Sequence, residues 1–417
     1  MQTKNRQKIV IIGGGFAGIQ LLRHLDQDLF DVLLIDKLNH HQFQPLFYQV
    51  ATSQIEPGSI SFPLRKILQN RKNTQIRMAE VTLIDAENHN INTSIGCFHY
   101  DKLIIAAGCK TNYFGNEKIK QHSYALKSTY DAIKIRNNIL QNFEDMVSVR
   151  EEEKEYLKNL VIIGAGPTGV ELAGAFSEIK NHILPKDYPR VNFNDLKIIL
   201  IEGSANTLNS MSDMSKKASE KYLKELGVDI ITDVMVKDYD GETVSLSNGH
   251  TIKSKQVIWT AGVIGNIIDG LENNVIFRNR YKVNRYNQIL NQPDIYAIGD
   301  IAYMETPKYP QGHPQVANVA ITQARNLSRN LKRIEENKSL SQFEYRDKGT
   351  MATIGKKKAV VDLPFIHFKG ASAWFVWMFL HLMLILSVRN KLVIFINWAY
   401  LFFTRDTSLR LILKEQQ

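Results

Sequence analysis

Cysteine is scarce in this sequence, with only Cys97 and Cys109 among 417 residues. The two form no C-x-x-C pair, so neither a zinc site nor a redox dithiol is predicted, and no bound metal is expected. The first residues, Met1–Lys8, are polar and lack the apolar stretch of a signal peptide. Both observations favour a reducing, cytoplasmic compartment.

Acidic residues are outnumbered. Lys and Arg total 52 against 42 Asp and Glu, which gives a net charge of +10. No motif of interleaved aromatic and basic residues accompanies this charge, so a nucleic acid partner is not predicted. An anionic membrane surface is the better candidate. The composition, 44% hydrophobic and 23% charged, is that of an ordered globular protein, and the length allows two or three domains.

A glycine-rich turn occurs twice, in Ile9–Gly18 and in Leu160–Gly169. Each copy places a short apolar strand before G-x-G-x-x-G, and an apolar helical stretch comes after it. The first glycine permits the tight turn, the second lets the backbone approach a pyrophosphate, and the third allows close packing of helix and strand. The N–H groups at the helix start then face the phosphates. Two copies predict two dinucleotides in one α/β protein, with electron transfer between them.

Each turn is followed by a strand that ends in an acid, Asp36 after the first turn and Glu202 after the second. An acid at this position binds ribose hydroxyls. A carboxylate repels a 2′-phosphate, and no Lys or Arg lies between Glu202 and Met214. The second site is therefore predicted to prefer NADH to NADPH.

The order of these motifs, closed by Tyr296–Asp300, resembles the flavoproteins with two dinucleotide-binding domains. Four further segments are similar to type II NADH:quinone oxidoreductases, namely His41–Thr52, Thr111–Gly115, Gly164–Gly174 and Thr260–Val263. The resemblance extends to about residue 405 and so covers nearly the whole chain.

Catalytic cysteines are absent where related enzymes carry them. Disulfide reductases and sulfide:quinone oxidoreductases of this superfamily need cysteines near the flavin, and the stretch from Asp36 to Arg71 has none. The remaining candidate, Cys109, is interpreted as a small buried thiol rather than a reactive one.

The resemblance implies that the first turn holds non-covalent FAD, which Asp300 contacts again late in the chain. The implied FAD-binding residues are Gly13, Gly15, Phe16, Ala17, Gly18, Asp36, Lys37, Gln49, Thr52, Ala107, Gly108, Asp300 and Ala317. It also implies that the second turn holds NADH. The implied NADH-binding residues are Gly164, Gly166, Pro167, Thr168, Gly169, Glu171, Glu202, Ala261 and Gly262.

Glu171 is the one charged residue in the apolar helix start Pro167–Phe176. It could simply stabilise the helix, because the dipole favours a carboxylate near an N-terminus. In the family the matching Glu lies near the flavin and is implicated in nicotinamide or quinone chemistry. The resemblance therefore implies a catalytic residue, one that relays a proton if burial raises its pKa.

The quinone motif of the family, A-Q-x-A-x-Q, is altered here. Both glutamines are replaced by shorter hydrogen-bonding residues, Asn318 and Thr322, and Gln323 comes directly after them. These three residues are the implied quinone contacts, with Lys369 at the mouth of the quinone tunnel. The replacements leave the type of quinone open.

Composition changes after Lys369. The run Ala371–Val388 has no charged residue, and Arg389-Asn390-Lys391 separates it from the apolar run Leu392–Phe403. Three interpretations stay open: buried core helices at a dimer interface, a membrane-spanning helix, or an anchor lying in the membrane interface. The second run is short for a span, and tryptophan, tyrosine and basic flanks favour the interface. The tail also resembles the monotopic anchor of type II enzymes.

The predicted fold is α/β, with two Rossmann-like dinucleotide-binding domains and a C-terminal helical membrane anchor. The predicted domains are 1–120 and 271–345 for FAD, 121–270 for NADH, and 346–417 for membrane anchoring and dimerisation.

The predicted function is NADH oxidation by hydride transfer to FAD and reduction of a membrane quinone, without proton pumping. The enzyme would be peripheral, on the cytoplasmic face of a prokaryotic inner membrane, and a homodimer is compatible with the apolar tail. Two alternatives stay open: a soluble-type FAD-dependent NADH:acceptor reductase with a non-quinone acceptor, and a non-catalytic membrane-bound NADH sensor.

Overall fold

Both glycine-rich turns come directly after the central strand of a five-stranded parallel sheet. The computed structural model describes residues 6–150, 153–189, 191–407 and 409–413. They form two compact units. The first unit contains the described residues of Met1–Gln42, Phe62–Lys110 and Val263–Asp347, and the second contains those of Phe43–Ser61, Thr111–Gly262 and Lys348–Gln417.

The α-helices of these described ranges are α1 (Phe16–His24), α2 (Phe47–Ala51), α3 (Leu64–Ile67), α4 (Glu117–His122), α5 (Thr129–Ser148), α6 (Pro167–His182), α7 (Leu184–Asp187), α8 (Asp213–Glu225), α9 (Ala317–Glu335), α10 (Ala371–Leu384) and α11 (Val388–Thr404). Short 3-10 turns cover Gln44–Leu46, Pro57–Ser59, Glu153–Tyr156, Phe193–Asp195, Asn273–Val275 and Gly299–Ile301.

The strands are β1 (Gln7–Ile12), β2 (Phe30–Asp36), β3 (His40–Gln42), β4 (Ser61–Pro63), β5 (Thr74–Met78), β6 (Val81–Asp85), β7 (Asn90–Thr93), β8 (Gly96–His99), β9 (Lys102–Ile105), β10 (Cys109–Thr111), β11 (Tyr124–Ala125), β12 (Asn159–Ile163), β13 (Lys197–Ile201), β14 (Val228–Ile231), β15 (Val236–Tyr239), β16 (Thr243–Leu246), β17 (Thr251–Lys253), β18 (Gln256–Trp259), β19 (Val263–Gly265), β20 (Ile276–Phe277), β21 (Arg280–Lys282), β22 (Ile295–Ala297), β23 (Ala302–Tyr303), β24 (Thr350–Gly355), β25 (Lys358–Leu363) and β26 (Ile366–Lys369).

The parallel sheet of the first unit has the strand order β22-β9-β1-β2-β5. Its central strand β1 is apolar on both faces, as expected for a strand that is covered on both sides. Ile9 and Ile11 lie in a buried cluster with side chains of α1 and α9, whereas Val10 and Ile12 lie in a second cluster. This packing holds the first turn at the carboxyl edge of the sheet, where nucleotides bind in folds of this kind.

The parallel sheet of the second unit has the order β11-β18-β12-β13-β14, again with the turn after the central strand. The second unit also contains two antiparallel sheets, β15-β16-β17 and β24-β25-β26. Helix α6 crosses β24 very closely: a β-carbon on Gly174 would lie 1.7 Å from the carbonyl oxygen of Ile354. Glycine is therefore required at this position, and the close contact sets one face of α6 against β24.

The C-terminal helices α10 and α11 have two different faces. On the inner face Trp377 and Trp398 are buried, and Asn390 donates from its amide to the backbone oxygen of Ser59 at 2.9 Å. The outer face exposes large apolar side chains: Phe375, Phe379, Met383, Leu384, Val388, Leu392, Phe395, Ile396, Tyr400 and Phe403. Within the described ranges, no helix is both long enough and apolar enough to cross a bilayer.

The predicted α/β fold, with parallel sheets behind both glycine-rich turns, is confirmed. The clustering differs from the predicted domains at several boundaries. Residues 43–61 and 111–120 belong to the second unit, although they lie within the predicted FAD-binding segment 1–120. Residues 263–270 belong to the first unit, although they lie within the predicted NADH-binding segment 121–270. The domain boundaries otherwise stay a prediction.

Candidate functional site

The first turn has the geometry that a pyrophosphate requires. Gly13 has a φ of +105°, and a β-carbon there would lie 2.3 Å from the oxygen of Ala106. A β-carbon on Gly18 would lie 1.9 Å from the oxygen of Gly13. At Gly15 a β-carbon would meet nothing within 4 Å, which leaves open space beside the start of α1. The backbone of this turn therefore fits a phosphate group and tolerates no larger residue at the two tight positions.

Asp36 lies at the end of β2 and accepts hydrogen bonds with both oxygens. The donors are the backbone N–H groups of Gly14, at 2.5 Å, and of Leu38, at 2.7 Å. Burial raises the pKa of Asp36, and these two N–H groups oppose the shift. The carboxyl group is thereby fixed beside the turn, where a ribose hydroxyl can reach its remaining lone pairs.

Asp300 is held by several contacts within the first unit. Cys109 donates from its thiol to Asp300 Oδ2 at 3.0 Å, and Gln315 donates from its amide to the Asp300 backbone oxygen at 2.9 Å. Asn266 donates to the backbone oxygen of Ala107 at 2.8 Å, which fixes the segment before Gly108. The predicted Asp300 is thus pre-positioned by residues that the motifs did not reveal.

The remaining first-unit residues implied for FAD lie around this turn. Phe16 begins α1 and packs edge-on against His41, with ring centroids 5.1 Å apart, and Ala17 and Gly18 come next in the helix. Lys37 is exposed and pairs with Glu80. Ala317 is the first residue of α9.

The implied quinone contacts of the first unit lie on α9. Gln323 is buried, and its side-chain oxygen accepts the backbone N–H of Gly299 at 2.7 Å. The hydroxyl of Thr322 donates to the backbone oxygen of Asn318 at 2.6 Å. Lys369 belongs to the second unit, where it is exposed at the end of β26. A direct contact of any of these residues with a quinone stays a prediction.

The glycines of the second turn have nearly the same geometry as those of the first. Gly164 has a φ of +98°, and a β-carbon on Gly169 would lie 1.9 Å from the oxygen of Gly164. Gly166 again faces open space. The hydroxyl of Thr260 donates to the Gly164 oxygen at 2.9 Å and so secures the turn from the neighbouring strand.

Glu202 occupies the position that Asp36 has in the first unit. Its Oε2 accepts the backbone N–H of Ala165 at 2.6 Å, and its Oε1 accepts the N–H and the hydroxyl of Ser204, both at 2.8 Å. The carboxylate is therefore pinned over the turn.

A cavity of about 1160 Å³ opens at this turn. Its lining includes five residues implied for NADH, namely Gly164, Gly166, Glu202, Ala261 and Gly262. Pro167, Thr168 and Gly169 lie beside it in the first turn of α6. Phe114, which the matching segment Thr111–Gly115 includes but to which no binding role was assigned, also lines the cavity; it is 70% exposed and has a φ of +52°. The volume is ample for a dinucleotide, so the residues present fit NADH.

Glu171 lines a different cavity of the second unit. This cavity has a volume of about 340 Å³, and α6, β24, α10 and α11 contribute to its wall. Glu171 is 9% exposed, and burial raises its pKa well above the ordinary value, opposed by the backbone N–H of Thr353. Burial in this position therefore favours the protonated form of the carboxyl group.

Gln49 and Thr52, both implied for FAD, lie in the second unit on or next to α2. The Gln49 amide donates to the Tyr48 hydroxyl at 2.9 Å and accepts the Trp398 indole N–H at 2.8 Å. The Thr52 hydroxyl donates to the Tyr48 backbone oxygen at 2.8 Å. Gln49 therefore ties α2 to α11, whereas the Thr52 hydroxyl bonds to α2 itself. The link to α11 joins distant segments, so the motifs did not reveal it.

No group of three or more His, Cys, Asp and Glu side chains suited to a metal ion occurs in the described ranges. Cys109 is partly exposed, so its interpretation as a buried thiol is wrong; Cys97 is exposed.

Comparisons with known proteins agree with this arrangement. The family profile of pyridine nucleotide-disulphide oxidoreductases matches residues 7–324, and that of the NDH2 C-terminal domain matches residues 348–406. The chain is 32% identical over 421 residues to the type II NADH:quinone oxidoreductase Ndh of Mycobacterium tuberculosis, covering 96% of this chain and 89% of the relative. It is 25% identical to the type II NADH:quinone oxidoreductase of Staphylococcus haemolyticus, over 86% of this chain and 90% of that one.

Solved structures share the fold. NDH2 from Plasmodium falciparum in complex with NADH superposes with a TM-score of 0.90 at 22% identity, covering 98% of this chain and 100% of the other. A sulfide:quinone oxidoreductase from Aquifex aeolicus gives a TM-score of 0.75 at 20% identity, with 96% of each chain covered.

Proposed function

Because the chain belongs to the type II NADH:quinone oxidoreductases, we propose a role in that family's reaction for each part of the site. The glycine-rich turns bind the two dinucleotides, Glu171 donates a proton, and the C-terminal helices contact the membrane. The enzyme oxidises NADH and reduces a quinone without pumping protons. FAD, when bound, supplies the two-electron chemistry that links these two half-reactions.

The first unit holds the FAD. Three features support this assignment: the open space at Gly15, the N–H groups at the start of α1, and the fixed carboxyl group of Asp36. The helix N-terminus stabilises the pyrophosphate charge, and Asp36 accepts from the ribose. Asp300, held by Cys109 and Gln315, orients the remainder of the flavin.

The second unit binds NADH in the cavity of about 1160 Å³. Glu202 lines this cavity and is fixed by three hydrogen bonds from Ala165 and Ser204. Such a carboxylate cannot turn away, so a 2′-phosphate placed beside it would be repelled. The backbone of Ala261 and Gly262 lets the nicotinamide lie close to the strand end.

Glu171 provides the proton that quinone reduction needs. The observation that carries this proposal is the burial of its carboxyl group, which disfavours the charged form and so favours a proton that can be donated. A simple role in helix stabilisation does not explain the burial, since a carboxylate that stabilises a helix start acts in its charged form. The polar contacts to the quinone are proposed to come from Asn318, Thr322, Gln323 and Lys369.

The outer face of α10 and α11 lies in the membrane interface. Ten large apolar side chains are exposed along these two helices, including Phe375, Phe379 and Phe403. Apolar side chains facing outward on otherwise packed helices are typical of a monotopic anchor, and Arg389 and Lys391 at the bend face anionic headgroups. We infer that the enzyme works on the cytoplasmic face of a prokaryotic inner membrane, where quinone is dissolved.

The catalytic assignment is tested by spectroscopy on the detergent-purified protein. We expect a yellow protein whose visible absorbance is bleached by NADH and restored by a short-chain quinone. A colourless protein would contradict the FAD site. A protein that NADH bleaches but quinone does not reoxidise would support the reductase with a non-quinone acceptor instead.

The anchor is tested by vesicle sedimentation of the triple variant Phe375→Ser, Phe379→Ser, Phe403→Ser. We expect it to lose binding to vesicles containing anionic lipid, whereas the control Tyr130→Ser, a 64% exposed aromatic on α5, binds like the wild type. Unchanged vesicle binding, together with conversion of a dimer to a monomer, would assign this face to a homodimer interface and refute the anchor.

A further inference from the structure

The established reaction consumes one proton from solvent in each cycle, and a buried Glu171 needs a route to obtain it. The balance is NADH + H⁺ + quinone → NAD⁺ + quinol, in which NADH delivers two electrons and one proton. If Glu171 donates the second proton, as proposed above, it must be reprotonated. Since Glu171 is 9% exposed, reprotonation requires an internal path.

The cavity of about 340 Å³ beside Glu171 has the geometry of such a path. Glu171, Glu178 and His182 all line it and all lie on α6. Their spacings of seven and four residues place them within about 20° of one face of the helix. Glu171 is buried, whereas Glu178 and His182 are partly exposed and Lys357 and Arg405 at the same cavity are exposed. The cavity therefore leads from the buried carboxyl group toward solvent.

The polar groups at the inner end bring the two carboxyls into one network. The Tyr48 hydroxyl is buried, and the charges of both Glu171 and Glu178 contribute to raising the pKa of Tyr48, behind the larger effect of burial. Tyr48 thus lies within electrostatic reach of both carboxyl groups. A hydroxyl can accept a proton on one side while it donates another, so this side chain can bridge the two groups directly or through water.

Glu178 is surrounded by groups that balance its two protonation states. It accepts the backbone N–H of Lys356, and the charges of Lys356, Arg405 and Lys358 favour the carboxylate. Burial outweighs them and raises the pKa of Glu178. On the outer side, burial and the nearby cations lower the pKa of His182. Both shifts reduce the preference of each group for its charged form, since the pKa of the acid Glu178 is raised and that of the base His182 is lowered.

We propose that this cavity is the proton entry route of the enzyme and that Glu178, together with Tyr48, relays protons from solvent to Glu171 through water held in the cavity. The two carboxyls are about 10 Å apart along the helix axis, a gap that needs water or Tyr48 to span it. The volume holds several waters, each of which needs about 30 Å³. None of the four residues implied for quinone binding, Asn318, Thr322, Gln323 and Lys369, is among the described residues that line the cavity. The proposal rests on the proposed role of Glu171.

The main test is Glu178→Gln, which keeps the shape and the acceptor for Lys356 N–H but cannot exchange a proton. In the holoenzyme, bleaching of the flavin by NADH should keep its wild-type rate. Reoxidation by a short-chain quinone should slow by at least about tenfold, and its loss at alkaline pH should begin at a lower pH than in the wild type. Glu220→Gln, an exposed carboxylate on α8, serves as the matched control and should match the wild type in both steps.

A second variant, Ala175→Leu, tests the cavity itself. Ala175 lines it between Glu171 and Glu178 and is 4% exposed, so a larger side chain fills part of the cavity while both carboxyl groups are retained. We expect a lower kcat for quinone reduction with an unchanged KM. A raised KM with unchanged kcat would show that quinone itself enters this cavity and would overturn the proposal.

Two further measurements, chemical rescue and infrared titration, distinguish a proton relay through Glu178 from a purely structural role of this residue. In Glu178→Ala, small weak acids such as formate should restore quinone reduction in proportion to their concentration. The carbonyl band of buried neutral carboxyl groups, measured across pH in the oxidised protein, should lose one component in Glu178→Gln and another in Glu171→Gln.

The outcomes separate the relay from the role of Glu171. Normal quinone reduction in both Glu178→Gln and Ala175→Leu, with impaired Glu171→Gln, would overturn the relay and keep Glu171. Normal quinone reduction in Glu171→Gln would overturn the role of Glu171 itself.

Discussion

The two glycine-rich turns are nearly identical as backbone, but the helices that begin at them are very different. Gly13 and Gly164 both have positive φ values, +105° and +98°, and the third glycine of each copy is equally tight against the first. Yet α1 ends after 9 residues, whereas α6 continues for 16. The turn fixes where a pyrophosphate lies, and the helix behind it decides what else the unit can do.

The second residue after the third glycine shows this divergence. It is Gln20 in the first unit and Glu171 in the second. Gln20 is partly exposed, while Glu171 is buried against β24 by the close crossing at Gly174. The same position therefore holds a partly exposed amide behind the first turn and a buried carboxyl group behind the second.

The largest expected effect comes from the third glycines. In Gly18→Ala and Gly169→Ala the new β-carbon would lie 1.9 Å from a carbonyl oxygen, so backbone must move at a cost of ~3 kcal/mol. We expect Gly18→Ala to lose bound flavin and Gly169→Ala to keep the flavin but lose reduction by NADH. Visible absorbance and thermal melting measure both.

The second glycines provide the contrast, because a β-carbon on Gly15 or Gly166 meets nothing within 4 Å in the protein. Gly15→Ala and Gly166→Ala should therefore have the melting temperature of the wild type. They should nevertheless bind their dinucleotides more weakly than the wild type, because the new β-carbon enters the space that a pyrophosphate would occupy. If Gly169→Ala released the flavin while Gly18→Ala retained it, the assignment of the two turns would be reversed.

Glu171→Gln is expected to have the next largest effect, about 100-fold on quinone-dependent turnover, because the amide cannot donate and regain a proton. The matched variant is Gln20→Ala, at the same position behind the other turn, which should change turnover little. Stopped-flow reoxidation of the reduced enzyme measures both effects. A large effect of Gln20→Ala together with no effect of Glu171→Gln would contradict the proposed role of Glu171.

The raised pKa of Glu171 also predicts a dependence of stability on pH. The folded state holds this proton above the pH at which the unfolded chain releases it. Stability therefore falls as pH rises from the unfolded pKa toward the folded one, by about 1.4 kcal/mol per pH unit for one such group. Glu171→Gln should flatten this fall in a denaturant titration series, and an unchanged slope would contradict the neutral buried carboxyl group.

The sequence predicted those parts of the molecule that depend on local geometry. The turns, the strands ending in Asp36 and Glu202, and the parallel sheets are encoded by glycine and apolar spacing over some thirty residues, and all are present. The contacts that join distant segments were not predictable. Asn266 on Ala107 and Trp398 on Gln49 link residues 159 and 349 positions apart, and no periodicity encodes such pairs.

A smaller effect, on the selectivity between NADH and NADPH, is expected from Glu202, the counterpart of Asp36 in the second unit. Removal of its charge in Glu202→Gln should raise kcat/KM for NADPH relative to NADH by about tenfold, equivalent to ~1.4 kcal/mol of lost repulsion. Asp36→Asn, the counterpart in the first unit, should leave this ratio unchanged and weaken flavin retention instead. Steady-state kinetics with NADH and NADPH measure the ratio. A shift of the ratio in Asp36→Asn would contradict the assignment of nucleotide selectivity to Glu202.

The smallest effect is expected from the altered quinone motif on α9 of the first unit. The Thr322 hydroxyl already donates to Asn318 O at 2.6 Å, so it must give up this hydrogen bond in order to donate to a quinone. The double variant Asn318→Gln, Thr322→Gln restores two longer amides and should lower the quinone KM about threefold, roughly the value of one modest hydrogen bond. Flavin reduction by NADH should not change, and Arg329→Gln, exposed on the same helix, serves as control. A raised KM in the double variant would mean that the shorter side chains are adapted to a bulkier quinone headgroup, and the family glutamines would then be the wrong guide to this enzyme.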